Sequence, residues 1–252
     1  MNCKKCGHWR SEIFYHDRTK PHGKCICREC GETWFIEKHN LFKEEQMMKS
    51  QDNQALPPGA QMMDVFGFQV PTSDYYLHRG HAWAVLEDTG MVRVGLDDFS
   101  QKVLGPADEL KLPAVGVLYY QDHICMALIK QGQKASFQAP VDGAIAAVNP
   151  KVREKPSLIH DDPYGEGWLF RVMPTNFQRN LDNLFYAEDN ADWIYQESHR
   201  LMNLMETEVG VTVPDGGTFI DDVYSNYPQL GWRRLVQEFL LTSLTKEWKK
   251  RP

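Results

Sequence analysis

Two pairs of cysteines near the start of the chain constrain its folding more than any other feature. Cys3 and Cys6 form one C-x2-C motif, and Cys27 and Cys30 form a second, with twenty residues between the motifs. Each motif can present two thiolates at one corner of a tetrahedron, so this spacing is typical of a four-cysteine zinc ribbon. Metal binding would also supply the folding free energy that so short a segment lacks. The sequence therefore predicts a structural Zn2+ site in residues 1–40.

The cysteine pattern leaves alternatives open. Cys25 lies two residues before Cys27 and could replace it as a ligand. A redox pair or an iron–sulfur cluster could use the same motifs, although a redox C-x2-C normally begins a helix in a βαβ unit, and this segment shows no such pattern. The chain starts without the apolar segment of a secretory signal. We therefore expect a cytoplasmic location, where thiols stay reduced.

Charge is distributed unevenly over the 252 residues. Residues 1–50 contain ten Lys and Arg against seven Asp and Glu, whereas the whole chain has a net charge of −6. A chain with a basic head and an acidic body is not expected to coat nucleic acid, although a ribbon that contacts DNA or RNA stays open as an alternative. Hydrophobic residues make up 42% of the chain, and no apolar run reaches the about 18 residues of a membrane span. The chain is therefore predicted to be globular and to lack a membrane span.

From about residue 65 to residue 174, short apolar runs alternate with glycine and proline. Runs of four to six residues at this spacing predict a small all-β domain. The runs cover residues 82–85, 91–95, 115–120, 124–129, 144–148 and 168–172. One helix is predicted inside this domain, with an acidic start at Asp97 and Asp98 and a glycine stop at Gly105.

Helical patterns dominate the rest of the chain. Residues 41–52 are polar and favour a helix, and the proline-containing stretch 54–60 is predicted to be a linker. Apolar residues return at helical spacing in residues 191–206 and, more strongly, in residues 230–248. We expect both helices to pack against the β domain or each other, with partner docking as the alternative.

Several short motifs between about residues 76 and 174 recur together in one known family. They are His81-Ala82-Trp83, the run 92–99, Leu104-Gly105, Leu112-Pro113-x2-Gly116, Ala139-Pro140-Val141-Asp142-Gly143, Val148-Asn149, Pro156 and the run 161–169. In this order and spacing they resemble the glycine cleavage system H protein family. The resemblance covers less than half of the chain and includes neither the ribbon nor the C-terminal helices.

The resemblance implies a mainly β fold of the lipoyl and biotinyl type. This fold is a flattened β sandwich (barrel-sandwich hybrid) in which one hairpin carries a lysine at its tip. In that family, lipoate linked to the lysine carries an aminomethyl group between the glycine cleavage enzymes, so the protein is a carrier without its own active site. The family's lysine lies eight residues before the proline that Pro140 matches, and here that position is Gly132. The resemblance therefore implies that the lipoyl acceptor is missing.

Two lysines flank the matched position. Lys130 and Lys134 each lie two residues from Gly132, which in an extended strand places all three on one face. We expect both to be solvated hairpin lysines that keep an exposed edge soluble. As the alternative, either could accept lipoate in place of the missing lysine.

Two further groups of polar residues have a functional and a structural interpretation. Asp161, Asp162 and Glu166 could bind a cation, whereas the resemblance implies a structural loop. His81 could be catalytic, whereas its place beside Trp83 favours packing within a strand. The structural interpretation is preferred for both groups.

The sequence predicts four parts: a zinc ribbon (1–40), a helix and linker (41–62), an H-protein-like lipoyl-fold domain (63–175) and a C-terminal helical extension (176–252). The leading hypothesis is a non-catalytic adaptor or regulatory subunit that holds Zn2+ but no lipoate and binds protein partners, glycine-cleavage-type enzymes among them. One alternative is a working lipoyl carrier, modified on Lys134 or Lys130, in glycine cleavage or a related route. The other is a zinc-ribbon regulator linked to nucleic acid.

Overall fold

The computed structural model describes residues 11–14, 22–27, 33–37, 61–211 and 217–240. The chain divides into two compact units, Met1–Gln54 and Ala55–Pro252. The helix predicted at 41–52, the linker at 54–60 and the second half of the helix predicted at 230–248 lie outside the described residues.

The first unit contains a three-stranded sheet. Its strands are β1 (Ser11–Phe14), β2 (His22–Cys27) and β3 (Thr33–Glu37). They form an antiparallel meander in the order β1-β2-β3. Ser11 pairs with Cys27, so the start of β1 and the end of β2 lie at the same end of the sheet.

The described part of the second unit contains twelve strands. They are β4 (Met62–Val65), β5 (Phe68–Pro71), β6 (Tyr76–His78), β7 (Ala82–Leu86), β8 (Val92–Leu96), β9 (Glu109–Lys111), β10 (Leu118–Tyr119), β11 (Ile124–Lys130), β12 (Gln133–Gln138), β13 (Gly143–Val148), β14 (Phe170–Pro174) and β15 (Leu184–Tyr186). Seven strands form a sheet in the order β10-β13-β14-β8-β7-β6-β15, three form a sheet in the order β12-β11-β9, and β4 pairs with β5. All these pairs are antiparallel. The mainly β prediction is confirmed.

Both larger sheets of the second unit contribute to one hydrophobic core. Trp83 and Phe170 from the seven-stranded sheet are fully buried, as are Leu128 and Phe137 from the three-stranded sheet. Burying side chains of this size stabilises the fold by about 2–3 kcal/mol each. Apolar side chains of both sheets therefore pack together in this core.

Short helices connect the strands, and longer helices follow them. They are α1 (Asp98–Leu104), α2 (Pro150–Glu154), α3 (Leu158–Asp161), α4 (Phe177–Asn180), α5 (Glu188–Val209), α6 (Val223–Asn226) and α7 (Trp232–Phe239), with 3-10 turns at Leu181–Asn183 and Pro228–Leu230. Among the helices of the described residues, none is long and apolar enough to cross a membrane.

The helix predicted between Asp97 and Gly105 is confirmed as α1. Asp97 accepts a hydrogen bond from the Ser100 amide at 2.8 Å and caps the start of the helix. Gly105 ends it with a φ of 76°, which costs a glycine little. The strand predicted at 115–120 is shorter than expected, because Gly116 has a φ of 84° and leaves only β10 extended.

The C-terminal helices agree with the apolar pattern. The helix predicted at 191–206 is α5, and its buried face includes Trp193, Ile194 and Leu201. The next predicted helix begins at Trp232 as α7, and its buried residues include Leu235 and Phe239. Both helices therefore pack their apolar faces inward, as expected.

Candidate functional site

The hairpin of β11 and β12 is the candidate site, because it contains Gly132 and the two flanking lysines. Its turn consists of Gln131 and Gly132, whose φ angles are 50° and 75°. Positive φ at both positions is the pattern of a type I′ turn, whose twist matches that of the flanking strands. Asp108 Oδ2 accepts a hydrogen bond from the Gln131 amide at 2.6 Å. The hairpin therefore ends in a tight turn that is held from a neighbouring loop.

Gly132 lies at the exposed tip of this hairpin. Among the described residues, and apart from its two chain neighbours, no atom would lie within 4 Å of a Cβ at this position. Only the backbone, with its positive φ, disfavours a side chain here. The matched position therefore has free space around it and no side chain in that space.

Lys130 is buried, and the prediction that it is a solvated hairpin lysine is wrong. The residue is 4% exposed. Its Nζ donates to both carboxylate oxygens of Asp222 at 2.6 Å and to the Leu104 carbonyl at 3.0 Å. A Cβ at Gly105 would collide with the ammonium and with the carboxylate, so the glycine leaves room for the ion pair. The ammonium thus has one acceptor for each of its three donors.

Asp222 supplies the negative charge of this pair. Its Oδ1 also accepts a hydrogen bond from the Ser225 amide at 3.1 Å and so caps α6. Burial alone raises the pKa of Asp222, but the hydrogen bonds from Lys130 and Ser225 outweigh it and lower the pKa below its ordinary value. Asp222 is therefore ionised at neutral pH and compensates the buried lysine.

Lys134 differs from Lys130 in exposure and direction. Lys134 is exposed, and it pairs with Ile129 across the hairpin. Lys130 belongs to the next pair, so the two lysines point to opposite faces. The expectation that both share a face with residue 132 is wrong, because residue 132 belongs to the turn. The carbonyl oxygen of Lys134 accepts a hydrogen bond from Trp232 Nε1 at 3.0 Å.

The sequence analysis missed Asp222 and Trp232 as contacts of the hairpin. They lie 92 and 98 positions from the residues that they bind. No local pattern connects residues so far apart. Gly105 is a local signal for a different feature: the sequence indicates a helix stop there, and the structure shows that this glycine also provides space for the ion pair.

The carboxylates of the acidic loop after α3 hold the loop and its flanks. Asp162 accepts hydrogen bonds from the amides of Gly165 at 3.1 Å and Glu166 at 2.7 Å. Asp161 accepts one from Lys155 at 2.6 Å, and this hydrogen bond lowers the pKa of Asp161 below its ordinary value. Within the ranges that the structure describes, no group of three or more His, Cys, Asp or Glu residues is placed to hold a metal ion. These contacts favour the structural interpretation of the loop.

His81 lies in a buried charged cluster that was not predicted. Its ring stacks between Phe99 and Trp193, at centroid distances of 4.6 and 4.7 Å. Nδ1 lies 2.7 Å from Asp97 Oδ2, and Nε2 lies 3.7 Å from Glu197 Oε2. Burial alone lowers the pKa of His81, but the charges of Asp97 and Glu197 and the hydrogen bond with Asp97 outweigh it and raise the pKa to about 9. His81 is thus a buried cation between α1 and α5, closed to a substrate.

Of the four predicted zinc ligands, only Cys27 belongs to the described residues. It is the last residue of β2, whereas Cys3, Cys6 and Cys30 lie outside the described ranges. The alternative ligand, Cys25, lies within β2, opposite Ile13 and Trp34. The zinc site stays a prediction.

The comparison with protein families gives one match. A profile described as Glycine cleavage H-protein matches residues 75–197. The match continues past residue 174, where the recognised motifs end, and reaches into α5. The related part of the chain therefore includes β15 and the first half of that helix.

Two glycine cleavage H proteins agree with the family match. The glycine cleavage system H protein of Alkalilimnicola ehrlichii is 33% identical over 129 residues, which cover 51% of this chain and 98% of the relative. The probable glycine cleavage system H protein of Thermococcus kodakarensis is 32% identical over 133 residues, covering 53% and 98%. The crystal structure of a glycine cleavage system H protein from Mycobacterium marinum has 29% identity and a TM-score of 0.43, covering 48% and 97%.

About half of this chain accounts for nearly the whole length of these relatives. The other half, which includes the segment 217–240 with Asp222 and Trp232, lies outside the family match. Sequence identity above 30% with relatives covered almost end to end establishes the relationship. The chain belongs to the glycine cleavage H-protein family.

Proposed function

We propose that this protein is a non-catalytic H-protein-like adaptor or regulatory subunit that lacks the lipoyl acceptor. The observation that carries the proposal is the hairpin tip, where the matched position is Gly132 in an exposed two-residue turn. A glycine offers no amine for an amide bond to lipoate. The family fold would then serve to bind protein partners rather than to transfer a group.

The state of Lys130 supports this function. An amine must be neutral and accessible to form an amide, because only the free electron pair of nitrogen attacks. The ammonium of Lys130 is buried and donates to three oxygen atoms. Lys130 therefore does not fit the role of substitute acceptor.

A second candidate function, that of a working lipoyl carrier, is favoured by the exposure of Lys134 alone. This lysine is the second residue of β12 and points away from Lys130. A ligase that tolerates a shift of two positions could acylate it. Such a carrier would pass an aminomethyl group in glycine cleavage or a related pathway.

The intact mass of the protein from lipoate-replete cells distinguishes the two functions. Under denaturing conditions the adaptor has the mass of the bare chain, whereas the carrier has the added mass of one lipoyl group. Lys134→Arg abolishes the added mass if Lys134 is the acceptor, and Lys130→Arg is the matched control. An adduct on the wild-type chain that Lys134→Arg removes would replace the adaptor with the carrier.

We also propose that Cys3, Cys6, Cys27 and Cys30 hold a structural Zn2+. The register of the first sheet supports this set, because β1 begins opposite the residue at which β2 ends. Cys6 lies a few residues before the start of β1, and two residues separate Cys30 from Cys27. Both motifs therefore adjoin the same end of the sheet in sequence, as a tetrahedral site requires.

The same register favours Cys27 over Cys25 as a ligand, since Cys25 lies inside the ladder and Cys27 at its end. Metal analysis of the full chain tests this choice. Cys27→Ser should remove the one equivalent of zinc, and Cys25→Ser should retain it. The opposite pattern would assign the site to Cys25.

The adaptor is proposed to consist of the four parts predicted from the sequence and to act in the cytoplasm. Its partners are proteins, with glycine-cleavage-type enzymes as the first to test, because the domain that would dock them belongs to their carrier's family. The net charge of −6 does not favour nucleic acid as a partner.

A further inference from the structure

The segment 217–240 holds both strands of the β11–β12 hairpin just below its turn. Asp222 binds the side chain of Lys130, the last residue of β11. Trp232 binds the backbone of Lys134, the second residue of β12. We name residues 217–240 the C-terminal clamp, because one segment contacts both strands within two residues of the tip.

The C-terminal clamp is fixed to the rest of the domain at several points. Phe219 packs against Phe68 with ring centroids 5.0 Å apart, and Phe239 packs against Phe99 at 5.4 Å. On α7, Arg234 forms an ion pair of 2.7 Å with Glu208 of α5. The clamp is therefore a built part of the fold that covers one flank of the hairpin.

We propose that the C-terminal clamp restricts which proteins can act on the hairpin, by closing the flank on which Lys130 lies. The inference rests on the proposed function, since it specifies how that hairpin meets its partners. An enzyme that must surround the tip and both strands meets the clamp, whereas a partner that contacts only the Lys134 face does not. The clamp lies outside the family match, so this restriction distinguishes the chain from relatives that end near that match.

Restoring the acceptor makes access to the hairpin measurable. Gly132→Lys places an amine at the tip, where a Cβ would contact no described residue other than its chain neighbours. The probe is a lipoate–protein ligase with lipoate and ATP. Lipoate and ATP form lipoyl adenylate and release pyrophosphate; the neutral lysine nitrogen then attacks the lipoyl carbonyl, loses a proton to water and displaces AMP. Intact mass against time gives the rate.

The clamp predicts that Gly132→Lys is modified slowly and that loosening the clamp accelerates the reaction. Adding Asp222→Asn leaves Lys130 without its counter-charge and should raise the rate at least about tenfold, because an uncompensated buried charge strongly favours local opening. Adding Trp232→Phe removes the indole donor while keeping an aromatic ring and should raise it less. Asp221→Asn is the matched control, since Asp221 binds His160 rather than the hairpin.

Equal rates for Gly132→Lys with and without Asp222→Asn would overturn the proposal, as would the absence of any modification in all variants. The wild-type chain in the same assay reports separately on the proposed function. If the wild-type chain gains the mass of a lipoyl group on Lys134, the proposed adaptor function is wrong. The comparison of rates between the Gly132→Lys variants still tests the clamp.

Acetylation of lysines in the otherwise wild-type chain gives an independent readout. N-hydroxysuccinimidyl acetate transfers its acetyl group to neutral, accessible amines and releases N-hydroxysuccinimide. Lys130 should react at least about tenfold more slowly than Lys134, because it is charged, buried and bonded to three acceptors. Asp222→Asn should reduce this difference, and equal reactivity of both lysines in the wild type would contradict a closed clamp.

Discussion

Two buried cations in the second unit, His81 and Lys130, show how differently similar ion pairs can be built. His81 and its partner Asp97 are both fully buried. Lys130 is nearly as buried, but the side chain of Asp222 is 23% exposed. Water can therefore compensate part of the charge of Asp222 but none of that of Asp97. The depth of the carboxylate, rather than that of the cation, separates the two pairs.

The two pairs also differ in origin. His81, Asp97 and Glu197 all lie within the family match, which ends at residue 197. Lys130 lies within it as well, but Asp222 belongs to the C-terminal clamp outside it. The first pair therefore joins elements of the family domain, whereas the second joins that domain to an addition.

The largest effect is expected from removing the carboxylate of the deeper pair. Asp97→Ala leaves the His81 cation with only the more distant carboxylate of Glu197 and removes the cap of α1, so it should lower the free energy of unfolding by about 4 kcal/mol. Urea unfolding followed by tryptophan fluorescence measures this change. Asp88→Ala, in an exposed turn, is the control and should change it by less than about 0.5 kcal/mol. A similar small loss for both variants would show that the pair contributes little.

The pH dependence of stability tests the charge of His81 directly. Its folded-state pKa of about 9 exceeds the ordinary value of 6.5. The stabilisation is therefore complete below pH 6.5 and is lost as the pH rises through about 9, to a total of roughly 3 kcal/mol. His81 has a φ of 61°, which asparagine tolerates, and His81→Asn does not titrate, so it should lack this part of the slope. The measurement is the urea midpoint from pH 6 to 10, and parallel curves for the two proteins would contradict a charged His81.

A smaller effect is expected at the shallower pair. Asp222→Asn keeps the cap of α6 but leaves Lys130 buried without a counter-charge. Because the Leu104 carbonyl still accepts one of its hydrogen bonds, the loss should be about 2 kcal/mol. The same urea assay measures it, with Asp221→Asn as the control for the loss of a charge at the neighbouring position. A loss as large as that of Asp97→Ala would remove the distinction between the two pairs.

The residues of the two pairs also show how far sequence could predict this fold. Asp97 and Gly105 are local signals, because a helix start and a helix stop need only nearby residues, and α1 was predicted from them. The strands β7, β8, β11, β13 and β14 follow from apolar runs for the same reason. The burial of Lys130 could not be predicted, since it depends on a carboxylate 92 positions away and a lysine beside a turn is ordinarily solvated. The cluster of His81 was missed because its partners come from α1 and α5, which no spacing in the sequence connects.

The smallest effect, and the sharpest test of the comparison, is expected from the cation of the shallower pair. Lys130→Met replaces a buried ion by an apolar chain of similar length and leaves Asp222 partly hydrated and still capping α6. The loss should stay below about 1 kcal/mol, since replacing the buried member by an apolar side chain leaves no uncompensated charge in the core. Asp222→Asn and Lys130→Met remove the same ion pair, so attraction between the two charges alone would make their losses equal in urea unfolding. A greater loss for Asp222→Asn would show that the buried lysine depends on its partner. A greater loss for Lys130→Met would reverse that conclusion, because packing of the aliphatic chain, rather than compensation of its charge, would then be the reason for the burial of Lys130.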